Sequence, residues 1–252
     1  MADAGADDAP VDVADAEPAD DPATEQLLTL SEALFQAVTE INDIEERLGK
    51  DTPPNADVLK EFASRIPVLN GDVDRLQIRV DAVNTASSDA RVKRRELTDQ
   101  SAQLSERVHG LPAKLAAVVE KVATTHKEAG NAHFKKAEYG LAIECYSEAI
   151  KIDRKTPTFF SNRSACYQAK GMWEAAAADA RECLSLDVSF VKGYLHLVKS
   201  LLQLTPTRIE EAAKVLTSAP IAVLNGNADL QALSSTVQTE LKTRGNNALK
   251  EG

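Results

Sequence analysis

Large apolar side chains recur in steps of three and four from residue 27 onward, as Leu27, Leu30, Leu34, Ala37, Ile41, Ile44 and Leu48. Such alternation keeps one stripe of a helix apolar and forms a heptad seam. Gly49 and the run Asp51-Thr52-Pro53-Pro54-Asn55 end it, because the two prolines remove helix donors and fix φ. A second seam follows in Leu59, Phe62, Ile66, Leu69, Val73, Leu76, Val80 and Val83. Two seams joined by a short loop predict an antiparallel helical hairpin, each helix covering the other's apolar stripe. Pro67 has no amide for its intrahelical bond, so a kink or short break is expected there, close to Asn70-Gly71. Beyond Val83 the seam weakens through Ser87 and Ala90 and returns at Leu97, Leu104, Val108 and Leu111. This reads as a third helix, or a continuation of the second, ending near Gly110 and Pro112. Residues 24–111 are therefore expected to form a helical coiled-coil region.

Downstream the pattern changes from a seam to a repeat. Tyr139 matches Trp173, Ala142 matches Ala176, Glu148 matches Glu182, Ile150 matches Leu184, Ile152 matches Leu186 and Asp153 matches Asp187, all at an offset of 34 residues. That is the period of a helix-turn-helix repeat. The small residues Ala142, Ala149, Ala176 and Cys183 fit positions where the two helices of a repeat approach closely and larger side chains would force them apart. This pattern resembles the tetratricopeptide repeat (TPR) family, with repeats at about 123–156, 157–190 and 191–224 inside a domain spanning 112–252. The resemblance implies an all-α chain, a helical hairpin or coiled coil followed by an α-solenoid of three repeats. The third repeat departs from the pattern, because aligning Ala212 with Ala142 and Ala176 needs two extra residues near Thr205-Pro206 and its second helix is cut short at Pro220. Asn227 to Lys242 reads as an amphipathic helix capping the array. The last stretch, Lys242-Thr-Arg-Gly-Asn246, copies Lys127-Glu-Ala-Gly-Asn131, as though the chain were a fragment of a longer repeat protein or the last helix a decayed repeat kept as a cap.

Within the family, the polar residues of the first helices resemble the carboxylate-clamp co-chaperones, which bind the C-terminal Glu-Glu-Val-Asp of cytosolic heat-shock chaperones of the seventy and ninety kilodalton classes. The matching stretches are Lys127-Glu-Ala-Gly-Asn131, Ser161-Asn162-Arg163-Ser164 and Lys192-Gly193-Tyr194. The resemblance implies a peptide-binding set of Lys127, Asn131, Asn162 and Lys192, with His196 standing where the family usually has arginine. The chemistry agrees: Lys127 and Asn131 are four residues apart and share a helix face, as do Lys192 and His196. Ammonium and amide donors on successive first helices would converge on a peptide's terminal carboxylates, where charge-assisted hydrogen bonds are strong. Histidine lacks arginine's permanent bidentate fork, which implies a clamp that is weaker, pH-sensitive or adapted to another acidic ligand. Ala165 and Gln168 are further candidates for shaping selectivity.

Composition adds exclusions. Aromatics make up only 4% of the chain, which suits helices better than a β-sandwich. The net charge of −10 is concentrated in residues 1–23, where eight acids and no base leave −2 for the rest. This removes the electrostatic case for nucleic acid. The Ala/Asp/Pro composition of the same segment predicts a disordered acidic tail. Cys145, Cys166 and Cys183 have no metal-ligand spacing and read as reduced core thiols. His126 and His133 are too isolated to suggest metal, and Asn162-Arg163-Ser164 is a glycosylation acceptor in form only. There is no phosphate loop, nucleophile elbow or apolar run long enough to insert in a membrane. The sequence therefore points to a cytoplasmic protein-binding adaptor, with neither catalytic residues nor cofactor. It would join a chaperone C-terminus to a second protein, or to another copy of itself, through the coiled coil. The alternative is a structural scaffold subunit assembled through that coiled coil.

Overall fold

The computed structural model describes residues 22–204 and 208–248, the last four of these by their backbone alone. The expected acidic tail up to residue 21, the insertion near Thr205-Pro206 and the final four residues lie outside them. Every regular element among the described residues is a helix: α1 (Pro22–Gly49), α2 (Ala56–Ala82), α3 (Ser88–Lys135), α4 (Tyr139–Ile152), α5 (Pro157–Ala169), α6 (Trp173–Leu186), α7 (Val191–Gln203), α8 (Ile209–Ser218), α9 (Ile221–Asn225) and α10 (Ala228–Ala248). Helix α1 takes in Pro22 and Ala23, the last two residues assigned to the tail by composition. Ala23 is buried.

The chain divides into two units, one comprising the residues up to Glu46 with Arg65–Leu111, the other Arg47–Ser64 with Pro112 onward. In the first unit the heptad residues of all three helices are buried within the single chain, Leu27, Ile41, Val73, Val80, Leu97 and Val108 completely so. Polar contacts fix the directions. Arg65 of α2 forms a two-pronged ion pair with Glu40 of α1, its Nη2 2.7 Å from Oε2. Thr98 and Ser105 of α3 donate to Asp81 and Asp74 of α2, at 3.0 and 3.3 Å. Partners whose numbers fall as the other's rise run antiparallel, so α2 opposes α3. Arg107 of α3 donates to both Asn42 and Glu45 of α1, at 2.6 Å each.

Local chemistry sets the helix ends. Asn55 accepts the Val58 amide at 3.0 Å, and Ser87 accepts that of Ala90 at 3.1 Å, each a side-chain cap on an otherwise unsatisfied first-turn donor. Two expected stops are absent. Helix α2 passes through Pro67 without a break, the ring being on an exposed position one turn from exposed Ala63, whose freed carbonyl needs no protein partner. Helix α3 passes through Gly110 and Pro112 to Lys135. Pro112 is exposed, so it removes one backbone bond and disturbs no core packing, while Leu111, Leu115 and Val122 carry the buried stripe onward.

The second unit contains the helix pairs. The end of α3 pairs with α4, α5 with α6 and α7 with α8. Ala142, Ala149, Ala176 and Cys183 are wholly buried, as close helix approach requires. The turn inside each of the first two pairs is a Schellman motif. Ala137 donates to Phe134 and Glu138 to His133, both at 3.0 Å; 34 residues on, Gly171 donates to Gln168 at 2.9 Å and Met172 to Tyr167 at 2.8 Å. Between pairs, Asp153 accepts the Lys155 amide at 2.9 Å and Asp187 that of Ser189 at 2.8 Å, which explains their match in sequence. Pro157 then opens α5, where its missing donor costs nothing. Helix α10 starts at the Asn227 cap and buries Leu230 and Val237 against Leu197, Leu201, Ile209 and Leu216, covering the last pair as a cap.

Candidate functional site

The end of α3, α5 and α7 line one groove of about 350 Å³ in the second unit. Four of the five expected residues reach it: Asn131 from α3, Asn162 from α5, and Lys192 and His196 from α7. Lys127 lies one turn before Asn131 and is half-buried, and it is not among the residues that line the cavity. Lys199 adds a second ammonium, seven residues after Lys192 and so on the same face of α7. Phe134, Ala165 and Leu195 make the remaining wall apolar, suited to an aliphatic side chain beside the polar cluster.

Tyr146 of α4 organises the polar end. Its hydroxyl donates to Asn131 Oδ1 at 2.7 Å, and Asn162 Nδ2 approaches the same oxygen at 3.3 Å. With that carbonyl engaged twice, the Asn131 amide is oriented with its NH2 available to a ligand. Burial pushes the Tyr146 phenol up to about 12, with Cys166 nearby adding to the effect and a hydrogen bond from Asn162 opposing it. The tyrosine therefore stays protonated and holds its donor role.

Next to Asn162 in α5, Arg163 clasps Asp179 of α6 with two bonds, at 2.7 and 2.8 Å, and donates to Ser147 of α4 at 2.9 Å. Burial acts against the guanidinium's charge, but the hydrogen bond and charge of Asp179 outweigh it and raise its pKa. One arginine thus ties together three helices of adjacent pairs.

His196 is held just as firmly. Its Nδ1 lies 2.9 Å from Gln168 Oε1, while Gln168 Nε2 donates to the His196 carbonyl and to Ser200 Oγ, both at 2.8 Å. Burial above all, then the charges of Lys199 and Lys192, bring its pKa down to about 4. With its pKa at about 4, the ring is uncharged near neutral pH. Of the three thiols expected in the core, Cys166 and Cys183 are buried and pushed up to about 11 and about 12 by desolvation, whereas Cys145 is only half-buried.

With this geometry defined, residues 130–171, from the end of α3 to the turn after α5, match the TPR repeat family model. This stretch carries TPR-repeat sequence across the first two helix pairs. Its sequence relatives match over the same kind of length. The Hsp70-Hsp90 organizing protein 2 of Arabidopsis thaliana is 44% identical over 68 residues, 27% of this chain and 12% of that protein. The Protein STIP1 homolog of Dictyostelium discoideum is 44% identical over 92 residues, 36% of this chain and 16% of that protein. The matches thus span only about an eighth of the length of the Hsp70-Hsp90 organizing proteins. Among solved TPR structures, the first TPR of Spaghetti (RPAP3) bound to the HSP90 peptide SRMEEVD has a TM-score of 0.45 at 24% identity, covering 48% of this chain and 94% of that one. The Arabidopsis OM64 TPR domain has a TM-score of 0.44 at 25% identity, covering 48% and 98%. Among the described residues no helix is long and apolar enough to cross a membrane.

Proposed function

We propose that this chain is a cytoplasmic, non-enzymatic co-chaperone adaptor whose TPR groove grips the acidic C-terminus of heat-shock chaperones of the seventy and ninety kilodalton classes. The observation that carries this reading is the convergence of the Asn131 and Asn162 amides with the Lys192 ammonium on one groove. Fixed N–H donors beside cations suit a chain-terminal carboxylate, and the free acid would be distinguished from an internal peptide by its extra charge. Its sequence relatives include Hsp70-Hsp90 organizing proteins, which supports the same partners. Lys127, one turn above Asn131, is assigned the outer end of the clamp, where its long side chain would meet the ligand after it docks.

The burial of the heptad seams inside the chain bears on the second partner. A protein docking on the N-terminal helices, or a second copy of the chain, would use their outer faces rather than the seams. The scaffold reading has no comparable set of converging groups behind it.

Isothermal titration of the full chain with a peptide ending in Glu-Glu-Val-Asp, as the free acid and as the C-terminal amide, tests the proposal. Micromolar binding of the acid alone, weakened at least tenfold by Lys192→Ala, is expected. Equal binding of both forms, or of neither, would overturn it.

A further inference from the structure

His196 cannot act as the arginine it replaces, and the reason lies in the atoms around Gln168. The His196 backbone carbonyl is only an acceptor, so the Gln168 atom 2.8 Å from it must be the amide nitrogen. Ser200 Oγ donates to that carbonyl at 2.7 Å and receives the second Gln168 proton, which leaves the amide no freedom to flip. Gln168 Oε1 then faces His196 Nδ1 at 2.9 Å, and a hydrogen bond there requires the proton on Nδ1. A neutral imidazole carries one proton. Nε2 is left as a bare lone pair, and no group among the described residues bonds it.

We propose that His196 presents an unprotonated Nε2 to the groove and selects, at the position it meets, a peptide carrying a hydroxyl or amide hydrogen-bond donor in place of a carboxylate. This rests on the groove being a peptide site, and it deepens that reading by naming what one of its positions accepts. Gln168 acts as a positioning residue through the tautomer. For Nε2 to donate to a carboxylate, the ring must either move its proton and set two lone pairs against each other at Gln168, or take up a second proton. With a pKa of about 4, depressed by burial and by Lys199 and Lys192, the second route is disfavoured on the order of a thousandfold at pH 7. The lysines and Asn131 would still hold the terminal carboxylate, so the acidic end is bound while one neighbouring position reads a donor.

Nitrogen-15 correlation spectra of the imidazoles in the full chain give the tautomer directly. A protonated Nδ1 and a bare Nε2 for His196, with the pattern lost in Gln168→Leu, are expected; a protonated Nε2 overturns the proposal. Binding is then compared for the Glu-Glu-Val-Asp peptide and its three single carboxylate-to-amide versions, all with free C-termini. One amide version should bind several-fold tighter than the parent, and His196→Ala should abolish that preference. If every replacement weakens binding or leaves it unchanged, His196 does not select a donor. If none of the four peptides binds, the chaperone-peptide reading fails, while the tautomer measured on the free protein upholds or overturns the state assigned to His196.

Discussion

Gly130 of α3 lies against the ring of Tyr146 of α4 so closely that a Cβ on the glycine would stand 2.7 Å from Tyr146 Cε1. The missing side chain is what lets the tyrosine cross between helices and reach Asn131. Gly130→Ala should therefore act twice. Overpacking should lower stability by about 1–3 kcal/mol, seen as a reduced denaturation midpoint at unchanged slope. Displacement of the hydroxyl should also weaken peptide binding. Tyr146→Phe separates the effects: it should cost about 1 kcal/mol of stability for the lost hydrogen bond, while loosening the Asn131 amide and reducing affinity.

The Arg163–Asp179 pair is largely dry, with side-chain exposures of 19% and 9%, and Arg163 has a further bond to Ser147. Removing one partner strands the other. Asp179→Ala should destabilise the chain by about 3–5 kcal/mol in chemical denaturation. An exposed pair such as Lys151–Glu148 is the control, expected to change stability by less than about 1 kcal/mol when Glu148 is replaced by Ala.

Ala137 and Gly171 occupy equivalent turns, and both have the left-handed backbone, with φ of 59° and 73°. An L side chain there costs roughly 1–2 kcal/mol, partly offset by the greater chain entropy that glycine loses on folding. Ala137→Gly should thus stabilise the chain by about 0.5–1 kcal/mol, and Gly171→Ala should destabilise it by a similar amount. Thermal unfolding of the two variants should move in opposite directions.

His196 titrates near 4 in the folded chain and, with an ordinary histidine value of 6.5, higher in the unfolded one. Between these values the unfolded state holds the extra proton, so this contribution is complete above about pH 6.5 and is lost as pH falls toward 4. The loss should reach about 3 kcal/mol. Stability measured at several pH values should fall less steeply in this window for His196→Gln than for the unaltered chain.

Much of this architecture is legible in the sequence because burial and helical period speak directly. Each residue of the first two heptad seams, from Leu27 to Leu48 and from Leu59 to Val83, is buried. The breakers mislead for a specific reason. Pro67 and Pro112 stand on exposed positions, where a helix loses one bond and keeps its packing. The continuing stripe Leu111, Leu115 and Val122 is the signal that outweighs the second of them. In the groove, the first-helix residues are those the family resemblance implies, and Lys199 extends the Lys192–His196 face by one further step. Tyr146 is not recoverable that way, because it belongs to a second helix and enters through a gap that only the Gly130 contact reveals. The state of His196 depends on Gln168, 28 residues away, and on burial that a linear pattern does not express.

The unbroken course of α3 changes what the first repeat requires in order to form. Starting a helix is the costly step, since several residues must be fixed before the first backbone bond closes, and lengthening it is cheap. Helix α3 meets that cost at Ser87, about twelve turns before Asn131, and Lys127 and Asn131 inherit a helix already under way. A shortened protein beginning near Pro112 would start the same helix without a cap and with four unpaired amides, so its first turns would fray. Lys127 and Asn131 would then sit in a helix whose order depends on the ligand, and the affinity of such a piece would report the cost of winding α3 as well as the fit of the groove.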